Sequence, residues 1–172
     1  MTRFSSATIL SLLVFAAVLS SACGKKAPSD DPVVTDVPFR TDGSLTFQRI
    51  GANGELEAIQ TISIEIADTD TLRMRGLMDR QHIPFDRGML FIFPFAETQS
   101  FWMANTQSSL DIMFVSSDSV INDIHKYTKP LSSAKVTGSD PAQFVVEVAA
   151  GFADNEGVNV GDRITWTKET TE

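Results

Sequence analysis

The segment LTFQRIGANGELEAIQTISIEIA, residues 45–67, carries the clearest secondary-structure pattern in the chain. Residues 45–50 alternate apolar and polar side chains, and the GANG sequence at 51–54 is typical of a turn. Alternation then resumes, and the apolar face would carry Ile62, Ile64 and Ile66. The opposite face would carry Thr61, Ser63 and Glu65. The segment therefore predicts a β-hairpin with one face buried and the other exposed to water.

The rest of the chain continues this β-rich pattern. Further short apolar runs that predict strands lie at 88–94, 100–103, 110–115, 120–126, 143–148 and 163–167. Residues 69–78 predict the one α-helix, because Thr69 can cap its N-terminus, and Gly76 inside it would cost about 1 kcal/mol. A short helical turn is expected near 151–156. These elements predict a mainly β fold, a compact jelly-roll-like β-sandwich or barrel with one helix.

The N-terminal region has the layout of an export signal. A basic residue, an apolar run too short to cross a bilayer and a group of small residues precede Cys23. This pattern resembles a bacterial lipoprotein signal, in which residues 1–22 are removed and Cys23 is lipidated. An ordinary signal peptide with Cys23 left as a free thiol is the alternative. Residues 23–40, rich in Pro and Asp, would form a flexible tether, and 41–172 a single β-rich domain.

Composition limits the classes of function. The 172 residues carry a net charge of −8, which argues against binding to a nucleic-acid backbone. With one cysteine and two histidines, the chain has no intrachain disulfide framework, and no metal or cofactor is expected. The expected partners are therefore a membrane, reached through lipidated Cys23, and a small molecule or another envelope protein.

Three motifs in a fixed order point to a known family. The sequence RGLM at 75–78 is followed by GMLFIF at 88–93 and FWMANT at 101–106. In this order the motifs resemble those of the domain of unknown function 192 family, over about residues 56–166. The resemblance implies a jelly-roll-like β-sandwich whose single helix carries RGLM. It implies no activity. Ala104 departs from the Lys that usually stands at this position of the third motif.

The candidate ligand-binding residues lie where the predicted helix meets the segment 101–111, namely Arg75, Trp102, Asn105 and Asp111. Arg75 could bind a ligand carboxylate or phosphate, or could instead form a buried ion pair with Asp111 or Glu147. Trp102 and Asn105 combine an aromatic ring with an amide, as in small-molecule pockets, although Asn105 also suits a turn.

Three functions remain open from these observations. The leading one is a membrane-tethered, extracytoplasmic module that binds a small molecule or an envelope partner. Gly24 after the cysteine favours delivery to the outer membrane, facing the periplasm. One alternative is an envelope hydrolase that uses carboxylates such as Asp111 and Glu147. The other is a purely structural envelope lipoprotein.

Overall fold

The computed structural model describes residues 37–169, so the predicted signal peptide, Cys23 and most of the predicted tether lie outside the described residues. The described part of the chain is mainly β, with 47% strand and 8% helix. Neither of its helices is long and apolar enough to span a bilayer. The elements are β1 (Gly43–Ile50), β2 (Leu56–Ala67), α1 (Asp70–Arg75), β3 (Arg87–Glu97), β4 (Ser100–Trp102), β5 (Leu110–Val115), β6 (Ile121–His125), β7 (Lys135–Thr137), β8 (Ala142–Ala149), α2 (Phe152–Glu156) and β9 (Arg163–Lys168).

The predicted hairpin is confirmed as β1 and β2, which pair antiparallel from Gly43 opposite Ile64 to Ile50 opposite Leu56. Its second face is only partly exposed to water. Thr61 is exposed, but Glu65 is completely buried beneath the segment that follows α1. The expectation of a fully wet face was therefore wrong at the end of β2, because another layer of the protein covers it.

Seven strands form one strongly curled sheet, in the order β6-β5-β8-β3-β2-β1-β9. The curl brings the start of β6 close to the start of β9, since Val120 before β6 bridges Arg163 of β9. The Ile121 N–H also donates to the Asp162 carbonyl at 2.8 Å. The sheet is thus a half-barrel, which confirms the predicted mainly β, barrel-like class. A second sheet contains β4 and β7, and β7 was not predicted.

Both faces of the sheet are buried at its centre. One apolar cluster includes residues of both edge regions, such as Ile121 and Ile164, and therefore fills the concave side. The other includes Met89, Phe91 and Ile112 and lies on the convex side, under Leu77 and Met103. Successive side chains of a strand point to opposite faces, so each central strand contributes to both clusters. The convex cluster is the layer on which the candidate site is built.

The helix α1 is shorter than predicted. It begins as expected after Thr69, whose hydroxyl accepts a hydrogen bond from the Leu72 N–H. It ends at Arg75, because Gly76 adopts φ 51° and its N–H donates to the Leu72 carbonyl. Gly76 is therefore a C-terminal cap, a role that glycine performs without the expected helical penalty. The predicted helical turn near 151–156 is confirmed as α2.

The last two residues of the predicted tether, Phe39 and Arg40, contact the domain. The Phe39 ring lies 4.1 Å from the guanidinium carbon of Arg80 and packs against the convex cluster. The Arg40 N–H donates to Glu65 Oε1 at 2.9 Å. Packing of the chain onto the domain therefore begins before residue 41.

Candidate functional site

A cavity of about 480 Å³ lies between α1 and the strands β3 and β4, and we call it the ligand cavity. This volume is in the range of small-molecule sites. Apolar, cationic and carboxyl side chains all reach it. Its lining residues are Asp70, Arg73, Met74, Arg75, Gly76, Leu77, Met78, Phe91, Phe93, Gln99, Ser100, Phe101, Trp102, Thr106 and Glu147.

Aromatic rings form one wall of the ligand cavity. Phe101 packs edge-on against Phe91, with ring centroids 4.9 Å apart, and against Phe93 at 6.4 Å. The next residue, Trp102, also lines the cavity and is 57% exposed, while Met74 on α1 is 77% exposed. An exposed indole beside an exposed thioether gives the cavity an apolar mouth. Such a surface suits a flat apolar ligand.

Two arginines of α1 line the ligand cavity, and one is held more firmly by its contacts than the other. Arg73 is held in place, since its Nη1 donates to the Ile92 carbonyl at 2.6 Å and its Nη2 to Asp70 Oδ1 at 2.7 Å. The Arg75 side chain is about half exposed and forms a loose ion pair with Asp79 at 3.9 Å. Exposed pairs of this length stabilise a protein little. Arg75 can therefore turn its guanidinium toward a ligand at small cost.

Glu147 contributes a carboxyl group from the middle of the sheet. The residue is only 5% exposed, and burial raises its pKa to about 8. Its hydrogen bond with the Leu77 N–H and the charge of Arg80 oppose the rise without cancelling it. At neutral pH the group is mostly protonated, so it can donate a hydrogen bond as well as accept one.

The RGLM motif explains how Glu147 is held. The sharp turn at Gly76 ends α1 and brings the Leu77 N–H to the carboxyl group. A Cβ at position 76 would stand 3.4 Å from the Phe91 ring and 3.7 Å from Glu147 Oε2. The positive φ of Gly76 also disfavours any side chain there. The motif therefore shapes the cavity floor rather than a helix interior.

A second carboxylate lies on the same face of the sheet as Glu147. Met89 is opposite Glu65 in the parallel pairing of β2 and β3, and opposite Glu147 in the antiparallel pairing of β3 and β8. Arg80 lies over this row and is 3% exposed; its Nη2 donates to Glu65 Oε1 at 2.6 Å. Arg80 thus takes the buried ion-pair role that the sequence had suggested for Arg75.

The structure brings together some of the sequence-predicted site residues. Arg75 and Trp102 both line the ligand cavity. Asn105 lies beside it, with its side-chain amide 3.8 Å from the sulfur of Met78, a lining residue, and its carbonyl accepts from the Asp79 N–H. Asn105 therefore helps to form a turn at the margin of the cavity.

Asp111 lies elsewhere, which corrects its placement in the candidate site. It is completely buried, and its Oδ1 accepts from the Tyr127 N–H at 2.9 Å. Its Oδ2 accepts from the N–H groups of Gly151 and Ala153 at 3.0 Å each. The residue therefore anchors the start of α2, on the concave side of the sheet.

The proposed pairing of Asp111 with Glu147 in a hydrolase is also wrong. Asp111 is opposite Val148 and Ile112 is opposite Glu147 in the pairing of β5 with β8. Directly paired residues share a face, whereas neighbours along a strand do not. Asp111 and Glu147 therefore point to opposite faces of the sheet and cannot act on one substrate.

The arrangement offers binding chemistry of a defined kind. A neutral carboxyl group and a movable guanidinium stand beside aromatic walls, a combination that can orient an acidic, flat ligand. Within residues 37–169, no group of three or more His, Cys, Asp or Glu side chains could hold a metal ion.

Comparisons with known proteins agree with the fold. A family model, DUF192, described as "Uncharacterized ACR", matches residues 51–166. No curated protein matches the chain. A Sinorhizobium meliloti protein described as a "putative transcription regulator" is 32% identical over 77% of this chain and 98% of its own, with a TM-score of 0.66. A Novosphingobium aromaticivorans protein of unknown function is 29% identical over 72% of this chain and 84% of its own, with a TM-score of 0.64.

Proposed function

The chain belongs to the DUF192 family, and we propose that it is a binding module whose ligand cavity takes a small aromatic or flat apolar acid. The observation that carries this proposal is the buried Glu147 carboxyl, with a pKa raised to about 8, at the floor of an aromatic cavity. A neutral carboxyl donates a hydrogen bond to a ligand carboxylate, where an ionised one would repel it. Arg75 supplies the complementary charge.

The aromatic wall defines the rest of the ligand. Trp102 at the mouth and Phe101 deeper inside offer a flat apolar surface to a ring or a planar chain. Burial of such a ligand removes apolar surface from water, and the acidic group fixes its orientation.

The charge of the chain favours this binding module over a DNA-binding protein. The description of the S. meliloti protein as a transcription regulator applies to that protein. Here the net charge is −8, whereas binding to phosphate backbones requires a basic surface. Small acidic ligands need only a local cationic group, which Arg75 provides.

Replacing Trp102 with Ala should weaken binding of benzoate by about tenfold or more at pH 6, since the ring loses its stacking surface. Isothermal titration calorimetry of the purified protein with benzoate and with benzamide measures the affinity for each compound. Phe95→Ala is the matched control. Phe95, on β3, is an exposed aromatic residue like Trp102, but it does not line the cavity. Equal benzoate affinity in the wild type and the Trp102→Ala variant would contradict the proposal.

We also propose that the module is a lipoprotein tethered to the membrane through Cys23 and facing the periplasm. The support is the export-type pattern of residues 1–22 followed by a cysteine. Two acyl chains hold a protein stably at a membrane, where one chain alone is marginal.

Replacing Cys23 with Ser should move the protein from the membrane fraction to the soluble fraction, because the acylated side chain is lost. Fractionation followed by immunoblotting measures the distribution. Ser21→Ala is a suitable control, since it retains the cysteine and a small residue before it. Continued membrane association of the Cys23→Ser variant would argue against the anchor.

A further inference from the structure

A second cavity, of about 230 Å³, shares Arg75 and Gly76 with the ligand cavity. Three guanidinium groups line it, those of Arg40, Arg75 and Arg80, together with the carboxylate of Glu65. We call it the arginine cavity. Its volume is several times the roughly 30 Å³ that one water molecule takes in the liquid, so it can admit a small polyatomic ion.

Arg80 is the buried member of the arginine cavity, and its hydrogen bonding is incomplete. Its Nη2 donates to Glu65 Oε1 at 2.6 Å, whereas its Nε and Nη1 meet no acceptor within residues 37–169. The Phe39 ring at 4.1 Å covers one face of the guanidinium group. Buried donors without partners are costly, and a cationic donor more so than a neutral one. An acceptor that enters the arginine cavity would remove this cost.

The balance of charge in the arginine cavity favours an anion as that acceptor. Glu65 is already shared, since Arg80 contacts its Oε1 and Arg40 Nη1 lies 3.1 Å from its Oε2. Arg75 is held only by its loose pair with Asp79 and can turn into the cavity. Three guanidinium groups therefore face one carboxylate among the residues that line this space, and Arg40 also pairs with Asp42 just outside it at 2.8 Å. Arginine presents several N–H donors in a plane, which matches the oxygens of phosphate or carboxylate groups.

We propose that the arginine cavity is a binding site for a small oxyanion, distinct from the ligand cavity. Arg80 supplies the buried donors, and Arg75 closes the site from the solvent side. The site uses neither the aromatic wall nor Trp102, but it shares Arg75 with the ligand cavity, so an anion here and an acid in the ligand cavity compete for that guanidinium group. Inorganic phosphate, sulfate and acetate are the simplest probes of this chemistry.

Titration of the full chain with inorganic phosphate should raise its melting temperature in proportion to the logarithm of the phosphate concentration. Sodium chloride at the same ionic strength is the control, because chloride screens charge without offering oxygen acceptors. We expect a clear rise with phosphate and little change with chloride. The same rise with both salts would overturn the proposal.

Two variants test whether the phosphate-dependent rise in melting temperature comes from the arginine cavity. Arg75→Met should weaken phosphate affinity by about tenfold, and this half-exposed side chain can be replaced without disturbing the core. Arg80→Lys keeps the buried charge but loses the planar donors, so it should also weaken binding. Lys129→Met is the matched control, since it removes an exposed cation on the segment between β6 and β7. Unchanged phosphate affinity in Arg75→Met overturns the proposal even if Arg80→Lys fails to fold.

Trp102→Ala separates this site from the ligand cavity. The variant should bind benzoate more weakly and keep its response to phosphate, because the indole lines the ligand cavity and not the arginine cavity. A crystal soaked in selenate gives a direct view, and we expect an anomalous peak within hydrogen-bond distance of Arg80. Water in place of that peak would contradict the oxyanion site and leave the proposed ligand cavity unaffected.

Discussion

Replacing Glu147 with Gln should remove most of the pH dependence of stability between pH 5 and pH 9. Burial raises the pKa of Glu147 from 4.5 to about 8 in the folded protein. Between these values the folded state keeps a proton that the unfolded state releases. The contribution of Glu147 to the free energy of unfolding is therefore complete below about pH 4.5. It falls as the pH rises above this value and is lost once the pH passes through 8.

The size of this effect follows from the same pKa values. A rise from 4.5 to about 8 corresponds to roughly 5 kcal/mol in the free energy of unfolding over that range. Gln resembles the neutral carboxyl in shape and keeps an acceptor for the Leu77 N–H. The variant should thus be close to the wild type at pH 5 and more stable than it at pH 9.

Urea denaturation at pH 5, 7 and 9, followed by tryptophan fluorescence, measures this difference. Glu97→Gln is the control, because Glu97 is an exposed glutamate on β3 and should leave the slope unchanged. The acidic groups with lowered pKa values, Asp42, Asp118 and Asp154, lose their stabilisation at more acidic pH and do not interfere. An identical slope in the wild type and the Glu147→Gln variant would show that Glu147 is not protonated at neutral pH.

Replacing Asp111 with Ala should lower the free energy of unfolding by about 3–5 kcal/mol. The carboxylate accepts hydrogen bonds from three backbone N–H groups, and the substitution leaves all three donors without it. Two of them belong to residues with left-handed backbone, Tyr127 at φ 52° and Gly151 at φ 85°. These conformations persist because the surrounding contacts determine them.

Chemical denaturation of the variant measures the loss in the free energy of unfolding. Asp154→Ala is the control, because Asp154 is an exposed aspartate of α2. Asp154 accepts from Lys126 and Tyr127 on the exposed surface, where water screens such pairs, so its removal should cost far less than that of Asp111. A small effect for Asp111→Ala would mean that water replaces the carboxylate. Benzoate affinity of the folded Asp111→Ala variant should match that of the wild type, since Asp111 lies on the opposite side of the sheet.

Local patterns were sufficient to predict most strands of this fold. The alternation in residues 45–67 predicted β1 and β2, and the apolar runs predicted β3, β5 and β8. The strand β7 was not predicted, because its three residues, Lys135–Thr137, are too few to show an alternation of apolar and polar side chains. The end of α1 was missed because a glycine inside a helix and a glycine that caps it look alike in sequence.

The candidate site was only partly predictable, because its chemistry depends on which face of the sheet each residue occupies. Trp102 and Arg75 were singled out by their residue types and their place in motifs, and both line the ligand cavity. Glu65 looked like a surface residue by alternation, but it is buried, and Arg80 and Arg40 both contact it. Asp111 and Glu147 looked like possible partners, although the register of β5 and β8 places them on opposite faces.

Binding of benzoate at pH 6 and at pH 9.5 tests most directly whether the ligand cavity binds an acid through the neutral carboxyl of Glu147. Isothermal titration of the wild type should show an affinity about tenfold or more lower at pH 9.5, where Glu147 is ionised. Benzamide, which carries no charge, should show a smaller change. Benzoate binding that is equally tight at both pH values, or undetectable at pH 6, would contradict the proposed site.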